Sequence, residues 1–254
     1  MLLEEFDPTM RAVINPDAIH SKIDGFPETI VSVFSYHLFS RLVELLKGKV
    51  IAYTKDVDGE WPVYRVNYKG KFLAFGKARL GGPACTGYFE DLLAMGGKRI
   101  ILTGNCGVLD KTIEDCAIII PLAAIRDEGT SYHYAPPSDI IKVNRKYAEE
   151  FKRICNEQGY PTVEGTTWTT DVFYRETPKK AAARKKQGAI CVEMECASMQ
   201  AMCDFRGAEF FQYLYAGDNL DLDDWDQRSL NGDVRLDDKE KIALLAFELA
   251  AAIS

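Results

Sequence analysis

Arg99-Ile100-Ile101-Leu102-Thr103-Gly104-Asn105-Cys106-Gly107 is the stretch from which the fold of this chain can be read. Apolar and β-branched residues from Ile100 to Thr103 make Arg99 to Thr103 a buried strand, and the glycines behind them read as a turn at its carboxyl end. In α/β proteins such a turn aims successive backbone N–H groups into a crevice, where an anion or a sugar oxygen can be held. Gly104 and Asn105 are therefore candidate anion-binding positions. Neither G-x-G-x-x-G nor G-K-[ST] occurs here, so the turn is neither a dinucleotide fingerprint nor a P-loop.

Outward from this point, β-rich runs alternate with helical ones. Strands are expected at Val50 to Thr54, Val63 to Asn67, Phe72 to Phe75, Ala117 to Pro121, Thr162 to Glu164 and Phe210 to Ala216, with a hairpin turn at Tyr68-Lys69-Gly70-Lys71. Helices are expected at Thr86 to Met95, Val143 to Gln158 and Glu195 to Arg206, each followed by glycine. A last helix should start at Asp237, with Glu240 completing a capping box before Ile242, Leu245 and Leu249. No repeat, linker or step in composition divides the chain. The expectation is one α/β domain over residues 1–254, a central mixed β-sheet flanked by helices.

The 254 residues are 47% hydrophobic and 27% charged, enough apolar surface for a large core. A formal charge of −7 argues against nucleic acid as a partner, whose affinity comes from Lys and Arg on phosphates. The basic cluster Lys179, Lys180, Arg184, Lys185 and Lys186 reads as a solvated helix face. No apolar run reaches the ~18 residues of a membrane span, and Glu4, Glu5 and Asp7 stand where a signal peptide would be basic. A cytoplasmic protein with no membrane partner is the reading. Seven cysteines without a C-x-x-C pair suggest reduced, buried thiols, and three histidines with no i,i+4 pair suggest no metal.

Two further segments carry chemistry. Val192-Glu193-Met194-Glu195 falls where a short strand meets a helix, and residues two apart point differently, so one of the two acids should face a ligand. A carboxylate suits a pair of vicinal hydroxyls, which both donate; alternatively, the acids simply favour a helix N-terminus. Ala216-Gly217-Asp218-Asn219 puts an acid at the carboxyl end of an apolar strand. Partial burial there would raise its pKa and let it give a proton to a leaving group, whereas the plainer reading is a turn-forming Asp.

These segments, with Gly81-Gly82-Pro83-Ala84, Ala124-Ile125-Arg126-Asp127-Glu128-Gly129-Thr130-Ser131-Tyr132-His133-Tyr134 and Asp171-Val172-Phe173-Tyr174, stand in order and spacing as in the nucleoside phosphorylase family of hexameric purine nucleoside phosphorylases and uridine phosphorylases. The resemblance spans nearly the whole chain. It implies that Glu195 holds the ribose 2′- and 3′-hydroxyls, with Met194 on the sugar and Glu193 nearby. It also implies that Asp218 protonates the base as the glycosidic bond breaks, and that Trp168 and Phe173 are aromatics around the base. His20 matches the histidine that reaches a neighbouring subunit's 5′-hydroxyl, so a homo-oligomer with shared sites is implied. Inorganic phosphate would be co-substrate, with no other cofactor.

The departures lie around phosphate. The phosphate loop is here His37-Leu38-Phe39-Ser40-Arg41, which keeps Arg41 and loses its glycine. Leu102 stands in place of a phosphate arginine, and Asn105 in place of Ser or Thr. Lys77 and Arg79 could compensate; their plainer reading is a solvated loop. Thr177 and Lys179 replace the Gln and Arg of the uridine enzymes, which with Asp218 favours a purine. The expected reaction is phosphorolysis of a nucleoside to free base and ribose 1-phosphate. Hydrolysis of the same bond, or nucleoside binding without catalysis, are the alternatives.

Overall fold

The computed structural model describes residues 2–57, 59–221 and 224–254. A one-turn helix α1 (Pro16–Ile19) leads into β1 (Thr29–Val33), α2 (Tyr36–Leu45), β2 (Lys49–Asp56), β3 (Gly59–Tyr68), β4 (Lys71–Lys77) and α3 (Gly82–Met95). Then follow β5 (Arg99–Val108), β6 (Ile118–Asp127), β7 (Ile140–Lys142), α4 (Ala148–Glu157), β8 (Thr162–Thr170) and α5 (Pro178–Lys186). The chain ends with β9 (Ala189–Glu193), α6 (Cys196–Arg206), β10 (Glu209–Asn219) and α7 (Leu236–Ile253). The architecture is the mixed sheet with flanking helices that the alternation of runs predicts.

The strands form one sheet, and part of it closes on itself. β10 pairs with β6 on one side and with β5 on the other, so β5, β9, β8, β6 and β10 make a ring. From β5 the sheet continues through β1, β4, β3 and β2. β1 was not anticipated from the sequence: Thr29-Ile30-Val31-Ser32-Val33 is buried at every position between β4 and β5 and so shows no alternation. The β3–β4 hairpin forms as expected, with Tyr68 paired to Lys71 and both Lys69 (φ +50°) and Gly70 (φ +81°) left-handed, as a two-residue turn requires.

The glycine-rich turn after Thr103 does not exist. β5 runs on to Val108, with Gly104 opposite Leu214, Asn105 opposite Tyr215, and Gly107 opposite both Asp218 and Val192. These glycines serve close packing on an extended strand. A Cβ on Gly104 would come within 2.6 Å of the Phe34 ring, and one on Gly107 within 2.3 Å of Leu220.

α6 and α3 end where glycine predicts, at Gly207 in the left-handed region and at Gly96. α4 starts at Ala148, later than expected. The capping box of α7 is absent: Arg235 precedes the helix, and Asp237 and Glu240 instead take the guanidinium of Arg41 at 2.6 and 2.5 Å. On this surface both acids pair with a guanidinium instead of with the helix N–H groups. Ile242, Leu245 and Leu249 dock α7 onto the core beside Phe75 and Tyr213, as the apolar stripe implies.

Candidate active site

The β9–α6 junction sets the two glutamates apart. Glu193 is consumed internally: one oxygen accepts the hydroxyls of Thr169 (2.6 Å) and Thr167 (3.3 Å), the other the backbone N–H groups of Glu195 (2.8 Å) and Cys196 (2.7 Å). It caps α6 from two residues upstream and has no oxygen to spare for a sugar, which corrects its place among the ribose contacts. Glu195 is 4% exposed and accepts the Gly81 N–H at 2.6 Å. Burial, and then the charge of Glu193, push its pKa up to about 8. Met194 between them is half-buried.

A row of paired residues crosses four strands here: Trp168 on β8, Val192 on β9, Gly107 on β5 and Asp218 on β10. Through it the acid of β10 lies level with the strand that carries Glu193. A bulge between Ala216 and Asp218 re-aims the chain at that point. Asp218 is 8% exposed, and one carboxylate oxygen accepts the Trp225 indole N–H at 2.8 Å. Burial raises its pKa, partly offset by the Trp225 hydrogen bond and the charge of Arg228.

The aromatic candidates separate. Trp168 is 0% exposed, its indole N–H donates to Asp127 at 3.0 Å, and it packs with Leu109, Ile125 and Val192. It is a core residue and not a wall for a base, because no face of it is open. Phe173, on a one-turn 3₁₀ helix Phe173–Arg175, is 48% exposed and stacks on Tyr174 with ring centroids 4.2 Å apart. His20 faces Asp91 of the same chain at 3.4 Å.

Of the anion-binding candidates, Arg41 is withdrawn by its pairs with Asp237 and Glu240, which neutralise it and direct it to α7. Gly104 lies inside a strand, Asn105 is exposed, and Leu102 is fully buried among Ile100 and Phe210. Lys77 and Arg79 stay together at the end of β4. The Trp61 ring lies 5.6 Å from the Lys77 ammonium and 3.8 Å from the Arg79 guanidinium, and Arg79 meets Asp56 at 3.3 Å. Burial and the charge of Arg79 lower the pKa of Lys77. Arg79 stands two residues before Gly81, whose N–H holds Glu195. The solvated-loop reading fails for both.

Sequence reasoning missed a further buried acid. Glu128 accepts the Ser131 N–H at 2.9 Å, the Ser198 hydroxyl at 2.7 Å and the Ser131 hydroxyl, and so ties the turn after β6 to α6. Gly82 is needed beside it, since a Cβ there would come within 2.5 Å of the Ser198 hydroxyl. The Glu128-Gly129-Thr130-Ser131 segment carried the signal as an acid next to hydroxyls, without showing that its partner is Ser198. Asp127 was likewise silent: it receives Lys180 at 3.2 Å and Arg184 at 3.0 Å, which docks the basic helix α5. Among the described residues no group of three His, Cys, Asp or Glu is placed to hold a metal ion, and all seven cysteines are free and buried. No helix of the described residues is long and apolar enough to cross a membrane.

This ring of strands carries buried acids at the β9–α6 junction and on β10. The family model of the phosphorylase superfamily matches residues 30–253, and the chain belongs to that superfamily. It is similar to the DeoD-type purine nucleoside phosphorylase of Caldanaerobacter subterraneus subsp. tengcongensis, 28% identical over 160 residues, 60% of this chain and 67% of that protein. The DeoD-type purine nucleoside phosphorylase of Alkaliphilus metalliredigens is 26% identical over 161 residues, 61% of this chain and 67% of its own length. Among solved structures, a purine nucleoside phosphorylase from Toxoplasma gondii in complex with immucillin-H superposes with a TM-score of 0.74 at 20% identity, covering 88% of this chain and 89% of its own. That likeness is one of fold.

Proposed function

We propose that this chain is a pentosyltransferase that cleaves the N-glycosidic bond of a purine nucleoside with inorganic phosphate, as a single domain over residues 1–254. The observation that carries the reading is the row Trp168–Val192–Gly107–Asp218, which sets a buried acid level with the strand leading to Glu195. Membership of the phosphorylase superfamily and similarity to purine nucleoside phosphorylases support it. In this reading Glu195 accepts the ribose 2′- and 3′-hydroxyls, Met194 packs on the sugar and Phe173 on the base. Asp218, whose pKa burial raises, gives a proton to the purine as the bond breaks. Phosphate lies against Lys77 and Arg79, and its charge stabilises the oxocarbenium-like ribose.

Support for Lys77 comes from its surroundings: it is partly buried, and among the described residues no carboxylate pairs with it. No organic cofactor enters this chemistry. The protein would work in the cytoplasm as a homo-oligomer, taking a nucleoside and phosphate, with neither nucleic acid nor membrane as partner.

A second reading is hydrolysis, favoured by the occupation of Arg41 and the burial of Leu102. Product analysis with inosine separates the two. Phosphorolysis requires phosphate and releases ribose 1-phosphate. Lys77→Ala then raises the phosphate KM about tenfold or more, for one lost charge-assisted contact, while Arg41→Ala leaves it unchanged. Free ribose at the same rate in phosphate-free buffer would replace this reading with hydrolysis.

A further inference from the structure

Trp225 hydrogen-bonds the acid of β10 and yet is not a core residue. It is 60% exposed, so apolar burial does not fix it there. The backbone does. Asn219 and Asp226 exchange N–H···O bonds of 2.9 and 3.2 Å, which brings Trp225 back beside the end of β10. The Asn219 side chain accepts the Asp221 N–H at 2.8 Å, and Asp221 takes the Lys111 N–H at 3.1 Å and the Lys185 ammonium. The loop is thereby tied to the segment after β5 and to α5. The two carboxylate oxygens of Asp218 then have different surroundings. Oδ2 accepts the indole N–H at 2.8 Å. Oδ1 lies over Gly107 of β5, where a Cβ would come within 3.1 Å of it.

We propose that Trp225 is a positioning residue for Asp218: its indole selects the carboxylate oxygen that carries the proton and steadies the charge once that proton has left. The inference rests on the general-acid role given to Asp218 above. An indole N–H donates and never accepts, so Oδ2 has to be an acceptor and the acid proton sits on Oδ1, the oxygen over Gly107. In the reaction that proton passes from Oδ1 to the base while the C1′–N9 electron pair goes to the ring and a phosphate oxygen bonds C1′. Asp218 is left as a carboxylate, and a hydrogen bond to an ionised acceptor is stronger than one to a neutral acid. The indole contact therefore strengthens as the proton leaves, which favours the transition state over the ground state. Phosphate loses one proton on becoming an ester and Asp218 regains one from bulk water, so the cycle is proton-neutral.

The other groups around Asp218 act on it through charge. Arg228 lowers and Asp226 raises its pKa, and the Arg228 guanidinium is itself engaged by the Ile113 carbonyl at 2.9 Å and by Asp226 at 3.5 Å. Glu176 and the Cys106 thiol feel the Asp218 charge, each with its own pKa raised first by burial. The indole is the neighbour that hydrogen-bonds the carboxyl, and it lowers the pKa that burial raises.

The test compares inosine with 7-methylinosine, whose base leaves without protonation. Trp225→Phe keeps a ring and removes the donor, at a position exposed enough for the chain to fold unchanged. Its kcat for inosine should fall roughly tenfold or more with KM changed less than about threefold, and kcat for 7-methylinosine should stay within about twofold. Taking a donor away from the carboxylate raises the Asp218 pKa, so the acid keeps its proton to higher pH. The alkaline limb of kcat for inosine should therefore move up by about one pH unit in Trp225→Phe. Trp225→His, which restores a ring N–H, should recover part of the rate. Equal losses for both nucleosides, or a limb that does not move, overturn the proposal. Asp218→Asn separates it from the parent reading. If that variant spares inosine, the general-acid role fails and the positioning role with it. If it removes inosine cleavage and spares 7-methylinosine, an unchanged inosine kcat in Trp225→Phe overturns the positioning role alone.

Discussion

At Glu195 burial and a neighbouring acid work against ionisation, so the free protein holds a proton there between the ordinary 4.5 and about 8. A diol donates two hydrogen bonds and selects the ionised carboxylate, since a protonated one keeps fewer acceptor sites. Binding of a ribonucleoside near pH 7 should therefore expel close to one proton, and the release should fade above pH 8, where Glu195 is already ionised. Titration calorimetry of inosine without phosphate, in buffers of different ionisation enthalpy, measures it. 2′,3′-Dideoxyinosine should release none; equal release by both nucleosides would remove Glu195 from the ribose site. Glu193 and Glu195 were legible in the sequence as two acids of which one faces a ligand. Which one depended on Thr167 and Thr169, more than twenty residues away in the chain, whose hydroxyls claim Glu193.

The start of α6 is the element on which the site depends. Glu193 satisfies the N–H groups of Glu195 and Cys196, and Thr169 bridges Glu193 to the Ala197 N–H at 3.1 Å. Glu193→Ala leaves two buried donors unpaired, at a cost of about 2–3 kcal/mol. For a chain of this size that corresponds to a fall in Tm of roughly 5–10 °C. Thermal unfolding checks it, and an unchanged Tm would mean that the helix start is held by other contacts. Turnover should be lost as well, because Glu195, the residue that precedes this helix, is released with it. α7 teaches the complementary point: a sequence pattern for a capping box was present, but both of its acids are claimed by Arg41 from α2.

For the whole molecule, the segment before β1 stands apart. The family match begins at residue 30, and ahead of it Val13, Ile14 and Ile19 expose most of their apolar surface beside His20, which meets Asp91. Clustered exposed apolar side chains on a folded chain mark a surface that another chain covers. With the resemblance of His20 to a residue shared across subunits, a homo-oligomer is expected. Sedimentation should show an oligomer at assay concentration that Ile14→Asp and Ile19→Asp weaken together. An active monomer would contradict it.

The sequence by itself determined the α/β class, the β3–β4 hairpin, the helix ends at glycine, and the pair Glu193 and Glu195 with Asp218 as the acids to watch. All of these depend on local signals: periodicity, left-handed turn residues, and an acid at the end of an apolar run. It could not show β1, because a strand buried on both faces does not alternate. Nor could it tell that Gly104 and Gly107 lie in an extended strand, since the reason for them is the ring of Phe34 and the side chain of Leu220, packed across from elsewhere in the chain. Tertiary structure alone decided that Trp168 is core, that Arg41 is spent on α7, and that Glu193 caps a helix. Each of these turns on which groups, distant in sequence, compete for one buried or charged side chain, and that competition is settled only when the ring of strands closes.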